Sequence, residues 1–260
     1  LDTDISPFGL GTYSSRVTTV GGKAVYLAAG KVKKQIMEYA SKVLEKPEDK
    51  LIIKNGRIMF MEDENIGITL KKLCESGIRT RDAIPFTAYI TYDPPTEGTD
   101  ASFYGDYSSA YTYGAHGVEV EVDTMTGKVK VLRIVAAHDV GKIINKNGVL
   151  GQINGGVAQG IGWTLYENMV FQDGKPLSNG LKNYILMTIK DMPEIASVVV
   201  ETNDPIGPFG AKGIGEPTLI PTAPAIANAI EDAIGIRIKD LPITSEKVFW
   251  AIKEKEEGGR

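Results

Sequence analysis

The sequence predicts an α+β protein in two lobes. Three observations support that class. Runs of alternating apolar and polar residues flank turn signals, the pattern of antiparallel hairpins. Other runs place apolar residues three and four apart, as in helices that bury one face. The two kinds are interspersed along 260 residues without an internal repeat, and a chain of that length buries a substantial core as one large domain or two lobes.

The first helix is expected over residues 22–45, capped by Thr18 or Thr19, with an apolar stripe of Val25, Ala28, Val32, Ile36, Tyr39 and Val43. Pro47 marks its end. Residues 51–60 predict a hairpin around Asn55-Gly56, a pair that accepts the positive φ of a tight turn. A short helix over 69–76 stops at Gly77. Phe86, Ala88, Ile90 and Tyr92 then alternate as a strand before Pro94-Pro95. The two lobes divide near 95–110, in a long polar and aromatic loop through Phe103 and Tyr107 of the kind that is often functional or covered by a partner. The clearest hairpin follows: Val118, Val120 and Val122 alternate with Glu119 and Glu121, turn over 123–127 and return through Val129 and Val131.

Residues 147–167 predict a helix that carries Gly148, Gly151, Gly155, Gly156, Gly160 and Gly162. Each glycine inside a helix costs about 0.5–1 kcal/mol relative to alanine, so the cluster implies close packing against a backbone or a ligand. Strands are expected near 168–171 and 197–202, a helix over 218–233, and a last helix from Thr244.

Composition removes several function classes. A formal net charge of −4 lacks the basic excess of nucleic-acid binders. No apolar run reaches the roughly 18 residues of a membrane-spanning helix. Cys74, the single cysteine, falls in a helical pattern and reads as a buried, inert thiol. One cysteine holds neither an iron–sulfur cluster nor a disulfide, which suits a reducing, cytoplasmic compartment. His116 and His138 lie far apart in no zinc pattern and are expected in hydrogen-bonded structural roles, so no metal-ligating residues are assigned.

The segment Gly210-Ala211-Lys212-Gly213-Ile214-Gly215-Glu216-Pro217 is the strongest local signal. Its glycines let the backbone approach a bulky ligand, and it presents one carboxylate. Gly213-Ile214-Gly215 has no third glycine at dinucleotide spacing, and Lys212 is not followed by Ser or Thr as a phosphate loop requires. No Gly-x-Ser-x-Gly elbow is present, since Gly11-Thr12-Tyr13-Ser14-Ser15 does not supply one. Two local readings stay open: an acidic helix start, or a carboxylate aimed at a ligand.

Three motifs in order discriminate between them. The first is Ser6-Pro7 through Gly11-Thr12-Tyr13-Ser14-Ser15-Arg16 with Gly22-Lys23-Ala24-Val25. The second is Asp139-Val140-Gly141 through Gly151-Gln152-Ile153-Asn154-Gly155-Gly156-Val157-Ala158-Gln159-Gly160-Ile161-Gly162, and the third is the glycine loop ending at Pro217. Together, over nearly the whole chain, they resemble the C-terminal half of the molybdopterin-binding region in the xanthine dehydrogenase/aldehyde oxidoreductase family of molybdenum hydroxylases.

The resemblance implies a two-lobed molybdopterin-binding domain with antiparallel hairpins and packed helices. It implies a molybdenum–molybdopterin cofactor, with or without a cytosine dinucleotide extension, shared with a partner chain. Glu216 takes the position of the family's general base, in a pocket expected to be dry. Gly11, Thr12, Ser14 and Ser15 resemble the hydroxyl-rich turn beside the cofactor's phosphate end. Gln152 resembles a glutamine that contacts the cofactor, and Gly213 allows its close approach. Gln159 is expected to pack behind the site, and Trp163 and Tyr166 to belong to the core. Lys212 fits either charge neutralisation near the site or a solvated loop.

The family's amino-terminal cofactor segments, iron–sulfur cysteines and flavin region do not occur in this sequence. The expectation is therefore a separate subunit or a fragment, and the loop-like opening at Leu1 reads the same way. The implied partners are a subunit with the N-terminal half of the molybdopterin region, an iron–sulfur subunit and an FAD subunit. The implied reaction hydroxylates an aromatic N-heterocycle, such as a purine, or oxidises an aldehyde, with water as the oxygen source. The rival expectation is a non-catalytic assembly subunit that keeps the fold.

Overall fold

The computed structural model describes residues 3, 4, 6, 8–79 and 86–258, so Pro7 of the first motif lies outside the described residues. The chain divides into two compact units, Val20–Pro94 and a larger one of Leu1–Thr19 with Pro95–Arg260.

A π-helical turn, Val17–Gly21, leads into α1, Gly22–Leu44, the first helix of the smaller unit. No side chain caps α1; the Thr19 hydroxyl instead donates to the Arg16 carbonyl at 3.1 Å. The buried face of α1 is Met37 and Ala40 flanked by Ile36, Tyr39 and Leu44, all in its C-terminal half. The expected stripe is therefore displaced, and Val25, at 69% exposure, is outside it. A 3.6-residue period fixes that one face is apolar, but not which part of a 23-residue helix finds something to pack on.

β1 (Leu51–Lys54), β2 (Arg57–Phe60) and β3 (Asp63–Thr69) form an antiparallel sheet in that order. Lys54 pairs with Arg57 across Asn55 and Gly56, both at positive φ (51° and 71°), as the turn chemistry requires. β3 escapes sequence reading because it opens on Asp63, Glu64 and Asn65, poor strand formers. Thr69 caps α2, Leu70–Ile78, accepting the Lys72 N–H at 3.2 Å. Gly77 is buried in the last turn of α2 instead of following it, and Cys74 is half-buried, not fully enclosed.

Residues 86–94 alternate in exposure but pair in no ladder. The Gln35 side-chain amide donates to the Thr87 carbonyl at 3.1 Å, and the Phe86 ring lies 5.8 Å from Tyr39. The alternation thus records an extended segment packed one-sidedly on α1.

The larger unit is built on the hairpin β4 (Gly114–Asp123) and β5 (Lys128–Asp139). Asp123 shapes its turn, accepting the Met125 N–H and the Thr126 hydroxyl, and Gly127 closes it at φ 71°. The chain continues through α3 (Lys146–Leu165) and the two-residue strands β6 (Phe171–Gln172) and β7 (Lys175–Pro176). It returns as β8 (Glu194–Val200), parallel to β5, giving sheet order β4-β5-β8. The strand expected over 168–171 shrinks to β6. The β5–α3–β8 crossover was not legible as such, because a parallel pairing leaves no turn signal in the sequence.

α4 (Thr222–Ile234) and α5 (Ser245–Gly258) complete the unit. Its core joins Val129, Val131 and Ile134 of β5 to Ile153, Val157 and Ile161 of α3, Ile226 and Ile230 of α4, and Val248 of α5. Burying such side chains contributes roughly 1.5–3 kcal/mol each. The glycines of α3 serve this contact. A Cβ on Gly156 would overlap Thr218, and one on Gly160 would overlap Thr222. Tyr166 packs against the core as expected, but Trp163 is 46% exposed. Among the described residues no helix is long and apolar enough to cross a membrane.

Candidate functional site

A cleft of about 360 Å³ opens in the larger unit where β5 and β8 both end. The carboxyl ends of parallel strands and the amino end of the intervening helix leave such a crevice by topology. Beyond the strands the backbone is tied together: the Val140 N–H donates to the Val200 carbonyl at 3.0 Å, and the Lys212 N–H to the Val140 carbonyl at 2.9 Å. Gly141, at φ 65°, has no room for a Cβ against the Gly210 carbonyl. The glycine loop is thereby fixed to the strand ends.

The anchor of this arrangement is a buried ion pair. Lys212 Nζ lies 2.6 Å from Asp139 Oδ2, with side chains 8% and 5% exposed. Nζ also donates to the Tyr111 carbonyl at 2.8 Å. Asp139 Oδ1 accepts the Gly141 N–H at 2.9 Å and the Thr202 hydroxyl at 2.8 Å. Burial pushes the Asp139 pKa up, but the bonds from Lys212, Gly141 and Thr202 and the lysine charge outweigh it, and the net shift is down. Lys212 is therefore neither a solvated loop lysine nor a charge offered to a ligand.

The glycine loop also grips the amino-terminal arm. The Ser15 N–H donates to Glu216 Oε2 at 2.8 Å, and the Glu216 N–H donates to Ser15 Oγ at 2.8 Å. Gly213 permits the contact, since a Cβ there would overlap the Ser15 carbonyl. Glu216 is exposed in this chain, in contrast to the dry pocket expected of it. Pro217 does not open α4: residues 215–221 form turns held by the Thr218 hydroxyl on the Gly215 carbonyl at 2.8 Å and the Leu219 N–H on the Glu216 carbonyl at 3.1 Å.

Of the residues singled out from sequence, Thr12, Ser15, Gln152 and Gly213 line the cleft. Glu216 follows the lining residue Gly215. Gly11, at φ 89°, sits in open space, and Ser14, at φ 50°, is exposed; neither lines the cleft. Gln159 is exposed, where a packing role was expected. Sequence reading missed Thr18, Lys142, Asn145 and Gly148, all in the lining. Asn145 left a readable signal: it caps α3, accepting the Gly148 N–H at 3.0 Å, immediately before the glycine-rich run.

His116 and His138 meet beside α4, with their Nε2 atoms 2.8 Å apart and His116 Nδ1 3.2 Å from the Thr222 hydroxyl. Burial, then the neighbouring imidazole, pushes His116 down to about 4, and burial lowers His138. Both are neutral at physiological pH. His138 Nδ1 is buried without a partner, so the favoured tautomer protonates His138 on Nε2 and leaves a lone pair unmet instead of an N–H. The two histidines are hydrogen-bonded within the fold, as expected of them.

The donor set of the cleft suits a large anionic ligand. Thr12, Thr18, Asn145, Gln152 and Lys142 line it with hydroxyls, amides and an ammonium that is itself paired with Glu201 at 3.2 Å. The amino end of α3 adds a favourable dipole, while the Gly148 and Val149 N–H groups are taken up by Asn145. On the same helix Gly151 and Gly155 have nothing within 4 Å of a Cβ position, which leaves open surface along its exposed face. Among the described residues no cluster of three or more His, Cys, Asp or Glu could hold a metal by itself.

Residues 1–193 match the family model described as "Molybdopterin cofactor-binding domain". The chain belongs to this family. The molybdopterin-binding chain is 36% identical over 95% of its length to the 6-hydroxypseudooxynicotine dehydrogenase complex subunit gamma of Paenarthrobacter nicotinovorans, covering 31% of that protein. It is 33% identical over 95% of its length to the xanthine dehydrogenase molybdenum-binding subunit of Escherichia coli O157:H7, covering 32% of it. Among solved structures, CO dehydrogenase from Oligotropha carboxidovorans superposes with a TM-score of 0.82 at 27% identity, over 98% of this chain and 31% of that one. The molybdopterin-binding chain thus spans about a third of the length of these relatives.

Proposed function

We propose that the cleft binds one side of a molybdenum–molybdopterin cofactor and that the assembled protein is a molybdenum hydroxylase. The observation that carries the reading is the carboxylate of Glu216, fixed by the Ser15 N–H at 2.8 Å beside a cleft lined with anion-binding donors. Lys142, Asn145 and the amino end of α3 suit the phosphate end, and Gln152 with its amide suits the pterin. When bound, the cofactor supplies a two-electron acceptor at molybdenum.

The residues of this chain then divide the remaining work. Glu216 Oε2 is occupied by the Ser15 N–H, and among the described residues nothing bonds Oε1. Oε1 is the atom that takes the proton from the water-derived oxygen as it attacks an electron-poor carbon. The carboxylate is exposed in this chain alone; the wall that excludes water is assigned to the partner with the N-terminal half of the molybdopterin region. Iron–sulfur and FAD subunits are proposed to carry the electrons away, and the lone half-buried thiol suits a reducing cytoplasm. The proposed substrate is an aromatic N-heterocycle or an aldehyde.

Purification of the chain with its partners tests this reading. Stoichiometric molybdenum and pterin are expected, together with incorporation of ¹⁸O from labelled water into the oxidised product of a heterocycle or aldehyde panel. An assembled protein without molybdenum would instead establish a non-catalytic assembly subunit.

A further inference from the structure

We infer that Ser15 is a positioning residue for Glu216, its hydroxyl holding the Glu216 backbone while its own N–H holds the carboxylate. The inference rests on the reading of Glu216 as the base and assigns Ser15 to that residue instead of to the cofactor.

The two hydrogen bonds run in opposite directions between residues 201 apart in sequence, each 2.8 Å long. One fixes the peptide plane from which the Glu216 side chain departs, and the other fixes the end of that side chain. Glutamate is among the side chains with most rotamer freedom, so a carboxylate anchored only at its backbone would sample many positions. Catalytic groups lose rate steeply when misplaced by about 1 Å.

The backbone of the arm sets a conformational cost on a side chain at position 15. Ser14 and Ser15 sit consecutively in the left-handed region, at φ 50° and 52°. Glycine would hold that geometry without strain, whereas serine does not. What serine adds is a hydroxyl, and that hydroxyl accepts the Glu216 N–H. The turn also brings the Ser15 carbonyl against Gly213, where only glycine fits, so arm and loop are matched at a second point. Ser15 Oγ and Gln152 Oε1 flank Gly215, 3.3 and 3.5 Å from the place a Cβ would occupy.

The test uses Ser15→Ala and Ser15→Gly in the assembled enzyme, beside Glu216→Gln as the reference. Both Ser15 variants are expected to lower kcat about 10- to 100-fold, with KM within roughly twofold and molybdenum content unchanged. Hydrogen exchange at the Glu216 amide should be at least about tenfold faster in both, an effect measurable without turnover. The glycine variant separates positioning from strain: a purely conformational role predicts normal kcat and slow exchange in Ser15→Gly, and that result would overturn the inference. Molybdenum loss in step with kcat would also overturn it, by making Ser15 a cofactor ligand. If Glu216→Gln itself keeps full activity, the base assignment fails instead, whatever Ser15 does.

Discussion

At the scale of single residues, the site depends on partners that are distant in sequence. Asp139 and Lys212 are 73 residues apart, and each alone resembles an ordinary surface charge. Only the fold shows them buried together, which is why neither was legible as an anchor. Breaking a buried pair from one side leaves an uncompensated charge and costs about 3–5 kcal/mol. Lys212→Met should therefore lose that much stability in urea unfolding, and Asp139→Asn a similar amount, because it leaves the buried Lys212 ammonium without its carboxylate. The pair also sets an acid limb. Asp139 titrates below its ordinary value of 3.8 in the fold, so its contribution is complete above that value and is lost as pH falls through the lower folded one. Unfolding measured from pH 6 to 2 should show a drop in stability below about pH 4 that Asp139→Asn reduces.

At the scale of elements, the parts with local causes were readable. Asn55-Gly56 and the Val118–Val122 alternation specify hairpins through turn chemistry and period-two burial, and both hairpins are present. Residues 86–94 show the same alternation without a ladder, because alternation reports one-sided burial and not hydrogen bonding. Pro217 was equally misleading: a proline that could start a helix sits in the turns that precede α4. The glycine-rich helix was readable as a close contact, though not which glycines make it. Gly156 and Gly160 face threonines of the loop and of α4, while Gly151 and Gly155 face open space. Alanine at 156 or 160 should destabilise by about 1–3 kcal/mol through overpacking. Alanine at 151 or 155 should stabilise by about 0.5–1 kcal/mol through helix propensity. Thermal unfolding of the four variants checks the contrast; equal effects would mean that α3 does not pack on α4 in this register.

At the scale of the whole molecule, the chain spans about a third of its relatives' length and leaves much apolar surface open. Phe103, Leu181 and Ile189 are 83%, 78% and 86% exposed. Expressed alone, the chain should bind no molybdenum tightly and should self-associate, as metal analysis and size-exclusion chromatography would show. A soluble monomer with stoichiometric molybdenum would contradict the shared-cofactor reading. The one measurement closest to the central claim is kcat, with molybdenum content, of Glu216→Gln in the assembled enzyme. The substitution keeps shape and removes the base, so near-normal molybdenum with turnover almost abolished is the expected result. Turnover equal to that of the unaltered enzyme would contradict it.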